Sequence, residues 1–431
     1  MATDPHAWFD HDRFGMFVHW GLYSLLARHE WVQHREQIDP DEYARYADVF
    51  TADRYDPQTW AKLAAEAGMK YVVLTTKHHE GFALWDSALT DFKATNTPFG
   101  RDAVAEFVEA VRGAGLKVGF YHSVIDWHHP DFVVDGIHPL REHEDVPGLN
   151  AGRDQARYAE YLHGQVRELL TNYGEISYLF YDFSYPGGRG GLPGKGRADW
   201  NSEELMRLTR ELQPGIVVND RLDIPGDLVT PEQYQPSGPM RRDGELVRWE
   251  ACQTINGSWG YDRDNLDAKP VDLLIRMLVD GVSKNGNLLL NVGPNGRGEI
   301  DPPDAARLRE IGTWMELHSA SIYGAGPSEL TPPPGAVYTQ RGDRLYLHLF
   351  SWPMRHVHLT GLAGRVRYAQ LLNDASEVAV TESDPHQHAQ NTTPGGESVG
   401  TVTLTLPVRP PAVAVPVVEI WLTNDEASSK A

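Results

Sequence analysis

The stretch KYVVLTTKHHEGF, residues 70–82, carries the clearest structural signal in the sequence. It begins as an apolar run rich in β-branched residues, which is typical of a buried strand. The segment before it, PQTWAKLAAEAG (57–68), has helical spacing and ends on a glycine. A lysine, two histidines and a glutamate follow the apolar run directly. The unit therefore predicts a helix, then a buried strand, then a polar loop at the strand's carboxyl end.

The same helix and strand alternation recurs over the first 325 residues. Alternation of this kind predicts a parallel sheet with helices outside it. The number of units is near eight, which favours a (β/α)8-like TIM barrel over an open doubly wound sheet. The other predicted strands are FGMFVHWG (14–21), KVGFYHS (117–123), ISYLFYDF (176–183), IVVND (216–220), VRWEACQ (247–253) and NLLLNVGP (287–294).

The pattern changes after TPPPG (331–335), whose consecutive prolines predict a stiff linker. Short apolar runs without any helical spacing follow, which predicts an antiparallel β-sandwich. We therefore predict a catalytic barrel over residues 1–328 and a C-terminal β-sandwich domain over 329–431, with a loop at 383–396. The predicted strands are RLYLHLF (344–350), HVHLTGL (356–362), RYAQLL (367–372), VTLTLP (402–407) and VVEIWLT (417–423).

Composition excludes several kinds of partner. The chain has 39 Lys and Arg against 60 Asp and Glu, a net charge of −21, which disfavours binding to nucleic acid and to anionic membranes. There is no apolar run of membrane-spanning length and no secretion signal, so we expect no membrane association. Cys252 is the single cysteine, which indicates a reducing compartment, and we expect a cytoplasmic protein. Base rates for oligomeric proteins favour a closed homo-oligomer.

Polar and aromatic residues follow nearly every predicted strand. Chemistry in a barrel takes place at the carboxyl ends of the strands, so these residues should share one rim. Imidazoles, indoles and carboxylates together suit a sugar ring with several hydroxyls. The rim residues are His19, Trp20, Glu30, Trp31, Lys77, His78, His79, Glu80, Tyr121, His122, Asp126, Trp127, Tyr181, Asp182, Asn219, Asp220, Arg221, Glu232, Trp249 and Glu250.

The same imidazoles and aspartates could instead hold a catalytic metal, as in a metal-dependent barrel hydrolase. The first strand, however, offers one histidine and no H-x-H pair. The adjacent His78 and His79 start on opposite sides of an extended backbone, so a shared metal would need a bend. We expect no metal and no other cofactor.

Several motifs resemble glycoside hydrolase family 29, the α-L-fucosidases. They are FGMFVHWGLYS, EWV, KYVVLTTKHHEGFALWDS, GFYHSVIDWHHP, YLFYDF, VRWEACQTINGSWGY and KNGNLLLNVGPNGRGEI, in order from about residue 8 to residue 324. The resemblance implies exo-hydrolysis of terminal α-L-fucosyl residues of oligosaccharides or glycoconjugates with retention of configuration. It implies that Asp182 is the nucleophile. It also implies fucose contacts from His19, Glu30, Trp31, His78, His79 and Tyr121, with Trp31 and Trp259 against the apolar face of the sugar.

The resemblance does not identify the residue that acts as general acid and base. Some members carry it shortly after the "GY" of the SWGY block, where this sequence has Asn265, and an amide cannot act as an acid. Glu232 is the first choice and Glu250 the alternative, with Asp262 and Asp264 behind them. A catalytically silent fucose-binding protein is the other functional class consistent with these residues.

Overall fold

The computed structural model describes residues 4–382 and 400–423. Eight strands form one parallel sheet that curls into a nearly closed barrel, in the order β5-β4-β3-β2-β1-β8-β7-β6. Every residue of β2 and β8 is buried, as expected for parallel strands covered on both faces. The strands are β1 (Phe14–Val18), β2 (Tyr71–Lys77), β3 (Lys117–Ser123), β4 (Tyr178–Asp182), β5 (Val217–Val218), β6 (Leu228–Val229), β7 (Arg248–Thr254) and β8 (Gly286–Val292).

The gap in the barrel lies between β5 and β6, and Asp227 spans it. Its backbone N–H donates to the carbonyl of Val218, and its carboxylate accepts from the Val218 N–H, each at 2.8 Å. The predicted barrel is confirmed, although sequence analysis named seven strands. β6 was missed because two residues are too short to show a period.

The helices lie around the sheet, and three of the long ones are capped by an aspartate side chain. Asp56, Asp102 and Asp154 each accept a hydrogen bond from a backbone N–H of the first turn, and each such cap stabilises its helix by about 1 kcal/mol. The helices are α1 (Ala7–Asp12), α2 (Tyr23–Leu26), α3 (Val32–Arg35), α4 (Pro40–Ala44), α5 (Pro57–Glu66), α6 (Ala103–Gly113), α7 (Val146–Asn150), α8 (Gln155–Asn172), α9 (Arg197–Trp200), α10 (Ser202–Leu212), α11 (Val271–Ser283) and α12 (Pro302–His318). Short 3₁₀ turns occur at Arg45–Val49, Ala94–Asn96 and Ser319–Ser321, and a small hairpin pairs Arg241–Arg242 with Glu245–Leu246. No helix in the described ranges is long and apolar enough to cross a bilayer.

The C-terminal region forms two antiparallel sheets, in the orders β9-β10-β15-β12 and β11-β14-β13. Apolar residues of both sheets, such as Leu345, Leu359, Leu404 and Ile420, belong to one buried cluster. The predicted antiparallel architecture is confirmed, and β9 and β13 are additions to it. The predicted loop at 383–396 lies outside the described residues. The strands are β9 (Ala336–Arg341), β10 (Arg344–Leu349), β11 (His356–Thr360), β12 (Val366–Leu371), β13 (Ala379–Glu382), β14 (Thr401–Thr405) and β15 (Val417–Leu422).

The two regions pack against each other through α12. The indole N–H of Trp314 donates to the carbonyl of Val415 at 3.0 Å, and Val415 belongs to the apolar cluster of the barrel. The predicted boundary after residue 328 falls between the last 3₁₀ turn and β9. Backbone hydrogen bonds between Gly326 and Gln340 of β9 cross that boundary.

Candidate active site

The site lies at the carboxyl ends of the barrel strands, above an aromatic floor. The rings of Phe17 and Phe180 are 5.2 Å apart, and Tyr121 stacks on Phe180 at 5.8 Å. The His19 ring meets Phe17 at 4.4 Å. These buried rings fill the barrel interior, so polar groups at the rim face an apolar base from which water is excluded.

Asp182 is the last residue of β4, and its carboxylate is held from two sides. The Tyr121 hydroxyl donates to Oδ2 at 2.9 Å, and Arg221 Nη1 donates to Oδ1 at 3.1 Å. Burial raises the pKa of Asp182 to about 6; Arg221 opposes this rise and Glu232 adds to it. Phe183 has a φ of +83°, so the chain turns sharply at the end of the strand and leaves the carboxylate at the rim.

Arg221 joins Asp182 to Glu232. Its Nη2 donates to Glu232 Oε2 at 2.9 Å, and its Nε donates to Thr230 Oγ1 at 2.9 Å. The planar guanidinium therefore holds both carboxylates in one fork. The Asp182 side chain is 14% exposed and that of Glu232 is 42% exposed. One carboxylate is thus partly buried beside the cation while the other reaches solvent. Arg221 was expected on the rim, without a role in catalysis.

Glu250 occupies the opposite end of the barrel. It accepts hydrogen bonds from the hydroxyls of Tyr71 and Tyr178, which are the first residues of β2 and β4. The carboxyl is fully buried, and burial raises its pKa to about 7 against the effect of these two bonds. Because barrel chemistry takes place at the carboxyl ends of the strands, this position disfavours Glu250 as the general acid.

Asn265 braces a loop. Its side-chain amide donates to the carbonyl of Asn256 at 2.7 Å and to Ser258 Oγ at 3.0 Å. Nearby, Asp262 accepts from the backbone of Asp264 at 3.2 Å, and Asp264 is exposed. These contacts shape the turn after the SWGY block.

His19 has a defined tautomer because of Asn291. The Asn291 amide nitrogen donates to the carbonyl of Trp259 at 2.7 Å, so its oxygen accepts from His19 Nδ1 at 2.6 Å. Burial lowers the pKa of His19 to about 4, which keeps the ring neutral. His19 Nε2 therefore carries a lone pair and can accept a hydrogen bond.

His78 and His79 lie together, with ring centroids 4.0 Å apart. The expectation that adjacent histidines diverge is wrong here, because β2 ends at Lys77 and a turn follows. The His78 ring stacks on Tyr121 at 5.5 Å. His79 Nδ1 is 2.7 Å from Ser123 Oγ, and its Nε2 is 4.0 Å from Asp182 Oδ2.

Glu30, Trp31 and Trp259 complete the walls. Glu30 accepts from the N–H of Gly260 at 2.7 Å. Burial opposes ionisation of Glu30, but His29 and this N–H outweigh it and lower the pKa of the carboxyl. The partly exposed Trp31 ring lies 4.9 Å from that of His79, and the Trp259 ring lies 5.2 Å from that of His19.

The predicted nucleophile, the first-choice acid and the predicted sugar contacts therefore lie around one rim, whereas Glu250 does not. Other residues expected on the rim point away from it. The Trp249 indole N–H donates to the carbonyl of Lys284 at 2.9 Å, the Tyr181 hydroxyl lies 2.6 Å from Thr209 Oγ1 of α10, and the Trp20 ring stacks on Tyr55 at 4.8 Å. Hydrogen-bonding imidazoles and carboxylates face a space walled by indoles, as a sugar site requires. Within residues 4–382 and 400–423, no group of three or more His, Cys, Asp or Glu side chains is arranged to hold a metal ion.

The chain is similar in sequence and in fold to known α-L-fucosidases. A family model described as alpha-L-fucosidase matches residues 2–320. Tissue alpha-L-fucosidase of Rattus norvegicus is 31% identical over 378 residues, covering 80% of this chain and 76% of the relative. The corresponding protein of Bos taurus is 32% identical over 377 residues, covering 80% and 75%.

Solved structures agree with these relatives. Alpha-L-fucosidase isoenzyme 1 from Paenibacillus thiaminolyticus superposes with a TM-score of 0.90 and 43% identity, covering 97% of this chain and 99% of that one. A GH29 alpha-L-fucosidase from Bacteroides thetaiotaomicron superposes with a TM-score of 0.84 and 26% identity, covering 98% and 97%; it was captured as a covalent intermediate with 2-fluoro-fucosyl fluoride. The chain therefore belongs to the alpha-L-fucosidase family, glycoside hydrolase family 29, and is an enzyme of that class.

Proposed function

We propose that the protein removes terminal α-L-fucosyl residues from oligosaccharides or glycoconjugates by a retaining double displacement. Asp182 is the nucleophile and Glu232 the general acid and base. The observation that carries the proposal is the single guanidinium of Arg221, which binds a partly buried and a solvent-reachable carboxylate at the rim. Retaining glycosidases need two carboxyl groups roughly 5 to 5.5 Å apart, and sharing one cation keeps two such groups close together.

In the first step Asp182 attacks the anomeric carbon while Glu232, in its acid form, gives its proton to the departing oxygen. The bond from C1 to the leaving oxygen breaks as the ester to Asp182 forms. In the second step Glu232 takes a proton from water, whose oxygen displaces the aspartate and restores the original configuration. The Tyr121 hydroxyl and Arg221 stabilise Asp182 when it is ionised and when it departs.

Sugar recognition uses the remaining rim residues. His19, His78, His79 and Glu30 bind the hydroxyl groups of fucose, and the two indoles of Trp31 and Trp259 pack against its apolar face. The aromatic floor supports exo-action, because it blocks further chain beyond the bound sugar. A fucose-binding protein without activity would need no second carboxylate on Arg221, so the hydrolase is favoured.

The experiment that tests the nucleophile uses Asp182→Ala. We expect turnover of an aryl α-L-fucoside to fall by at least about 10³-fold, since the covalent route is lost. Azide should restore part of the activity and yield a fucosyl azide. In the unaltered protein, a fluorinated fucosyl donor should label the peptide that contains LFYDF. Near-normal activity without rescue, or a label on another peptide, would contradict the assignment.

Glu232→Ala tests the acid and base separately. We expect it to retain much of its rate on a substrate with a good leaving group and to lose the basic limb of the pH–rate profile. Glu250→Ala provides the matched comparison, because its carboxyl lies at the other end of the barrel. An unchanged basic limb in the Glu232 variant would exclude this residue.

A reducing, cytoplasmic location also remains a proposal, supported by the single, buried Cys252. Fractionation of cells that produce the protein would test it. A closed homo-oligomer is proposed on base rates, and light scattering of the purified protein measures the number of subunits.

A further inference from the structure

Glu80 is a buried carboxyl group that the proposed reaction does not use. It follows the two histidines in the turn after β2 and is 2% exposed. In the described part of the chain, its Oε2 has no hydrogen-bond partner. The neighbouring Lys77 does not neutralise it directly, since that ammonium group pairs with Asp126 at 3.3 Å.

The atom that faces Glu80 is His78 Nδ1. This nitrogen is also buried and also lacks a hydrogen-bond partner among the described residues. The two atoms are 3.7 Å apart. Each unsatisfied buried polar atom is costly, and a small rotation of the Glu80 carboxyl would turn the two into one hydrogen bond.

The proton between them belongs to the carboxyl. Burial raises the pKa of Glu80 to about 8, and burial lowers the pKa of His78 well below its ordinary value. Both groups are therefore neutral near pH 7. A neutral carboxyl donates a hydrogen bond to Nδ1 and keeps its proton, so the hydrogen of the neutral imidazole lies on Nε2.

We propose that Glu80 is a positioning residue that holds His78 in the Nε2–H tautomer, so that His78 donates a hydrogen bond to a sugar hydroxyl. The stacking of His78 on Tyr121, whose hydroxyl donates to Asp182, fixes the plane of the ring beside the nucleophile. The choice of ligand rests on the proposed fucosidase function; the tautomer does not.

The donor and acceptor nitrogens of His19 are reversed relative to those of His78. Its Nδ1 donates to Asn291, so its Nε2 accepts. The His19 and His78 rings are 5.7 Å apart and therefore border the same space. A hydroxyl group donates and accepts at once, so this pair of rings can satisfy one hydroxyl from both sides. A hydrogen or a fluorine at that carbon cannot satisfy both rings.

The first test is NMR of the unliganded protein with ¹⁵N-labelled histidine. Two-bond couplings identify the protonated ring nitrogen, and His78→Gln identifies the relevant signal by its loss. We expect the Nε2–H form for His78 and the Nδ1–H form for His19. An Nδ1–H form of His78 would overturn the proposal, whatever activity the enzyme has.

The second test compares Glu80→Gln with Glu80→Leu. The amide N–H of glutamine can still donate to Nδ1, whereas leucine cannot. The Gln form should keep the wild-type tautomer and KM for an aryl α-L-fucoside. The Leu form should show mixed His78 tautomers. Its KM should rise roughly 3- to 10-fold, which is the factor expected from weakening one neutral hydrogen bond to the substrate. Thermal unfolding of both forms checks that they fold. An unchanged His78 tautomer in a folded Leu form would reduce Glu80 to a packing role and overturn the proposal. If the Leu form does not fold, the wild-type NMR measurement alone decides.

Discussion

Replacing Arg221 by methionine removes the cation that lies between the two catalytic carboxylates. Methionine keeps much of the side-chain volume but leaves Asp182 and Glu232 facing each other without a positive charge. In the intact protein burial raises the pKa of Asp182 to about 6, and Arg221 limits that rise. Because Asp182 must be ionised to attack, the substitution should move the acidic limb of the kcat/KM profile to higher pH.

The expected shift of the acidic limb can be worked out from the distance between Arg221 and Asp182. The Arg221 Nη1 to Asp182 Oδ1 distance is 3.1 Å, and both side chains are largely buried. A unit charge about 4 Å away at an effective dielectric constant of about 20 is worth about 4 kcal/mol as an upper bound. Water that enters the site of the variant reduces this energy. An arginine beside an aspartate typically lowers the pKa of the aspartate by about 1 to 3 units, and its removal should raise the pKa by that amount. At pH 6 the ionised fraction should fall from about one half to roughly one tenth or less.

The assay is kcat/KM for an aryl α-L-fucoside between pH 4 and pH 9. Arg248→Met is the matched control, because Arg248 also binds a carboxylate, Asp10, and is similarly exposed, but it lies at the start of β7. Its acidic limb should stay in place. An acidic limb that is the same in the Arg221 variant and the wild type would refute the role of this cation, even if the overall rate falls.

Two further substitutions test the contacts at each end of the barrel. Burial raises the pKa of Glu250 in the folded protein to about 7. The protonated carboxyl therefore contributes its full stabilisation below the pKa of the unfolded chain, and this contribution is lost as the pH rises toward 7. Glu250→Gln should therefore gain up to about 3 kcal/mol relative to wild type between pH 4.5 and pH 7, measured by urea unfolding, while activity is retained; a pH-independent difference would contradict this. Asn291→Leu removes the acceptor of His19 Nδ1 and should lower kcat/KM about tenfold, since the ring loses its fixed tautomer. Unchanged kinetics in a folded Asn291 variant would show that the tautomer of His19 does not matter.

Local sequence patterns were sufficient to predict most of the fold. Apolar runs such as YVVL and LFY are short and rich in β-branched or aromatic residues, which favours buried strands, and the helical stretches between them bury one face against the sheet. Together these patterns predict a parallel sheet with its polar residues at one edge. The same reasoning placed Asp182 and the histidines on that edge, because a residue that directly follows a strand has little freedom to lie elsewhere.

Which of these residues contact one another depends on the packing of the whole chain. Arg221 pairs with Asp182 and Glu232, whereas Glu250, on the same list of strand residues, lies at the opposite end because it stands third in its strand. Asn291 fixes the tautomer of His19 across 272 positions of sequence. Hydrophobic periodicity determines that a segment is a strand and which face it buries. It does not determine how far each strand is shifted along the barrel or how a loop turns back, and those two quantities set every distance in the active site.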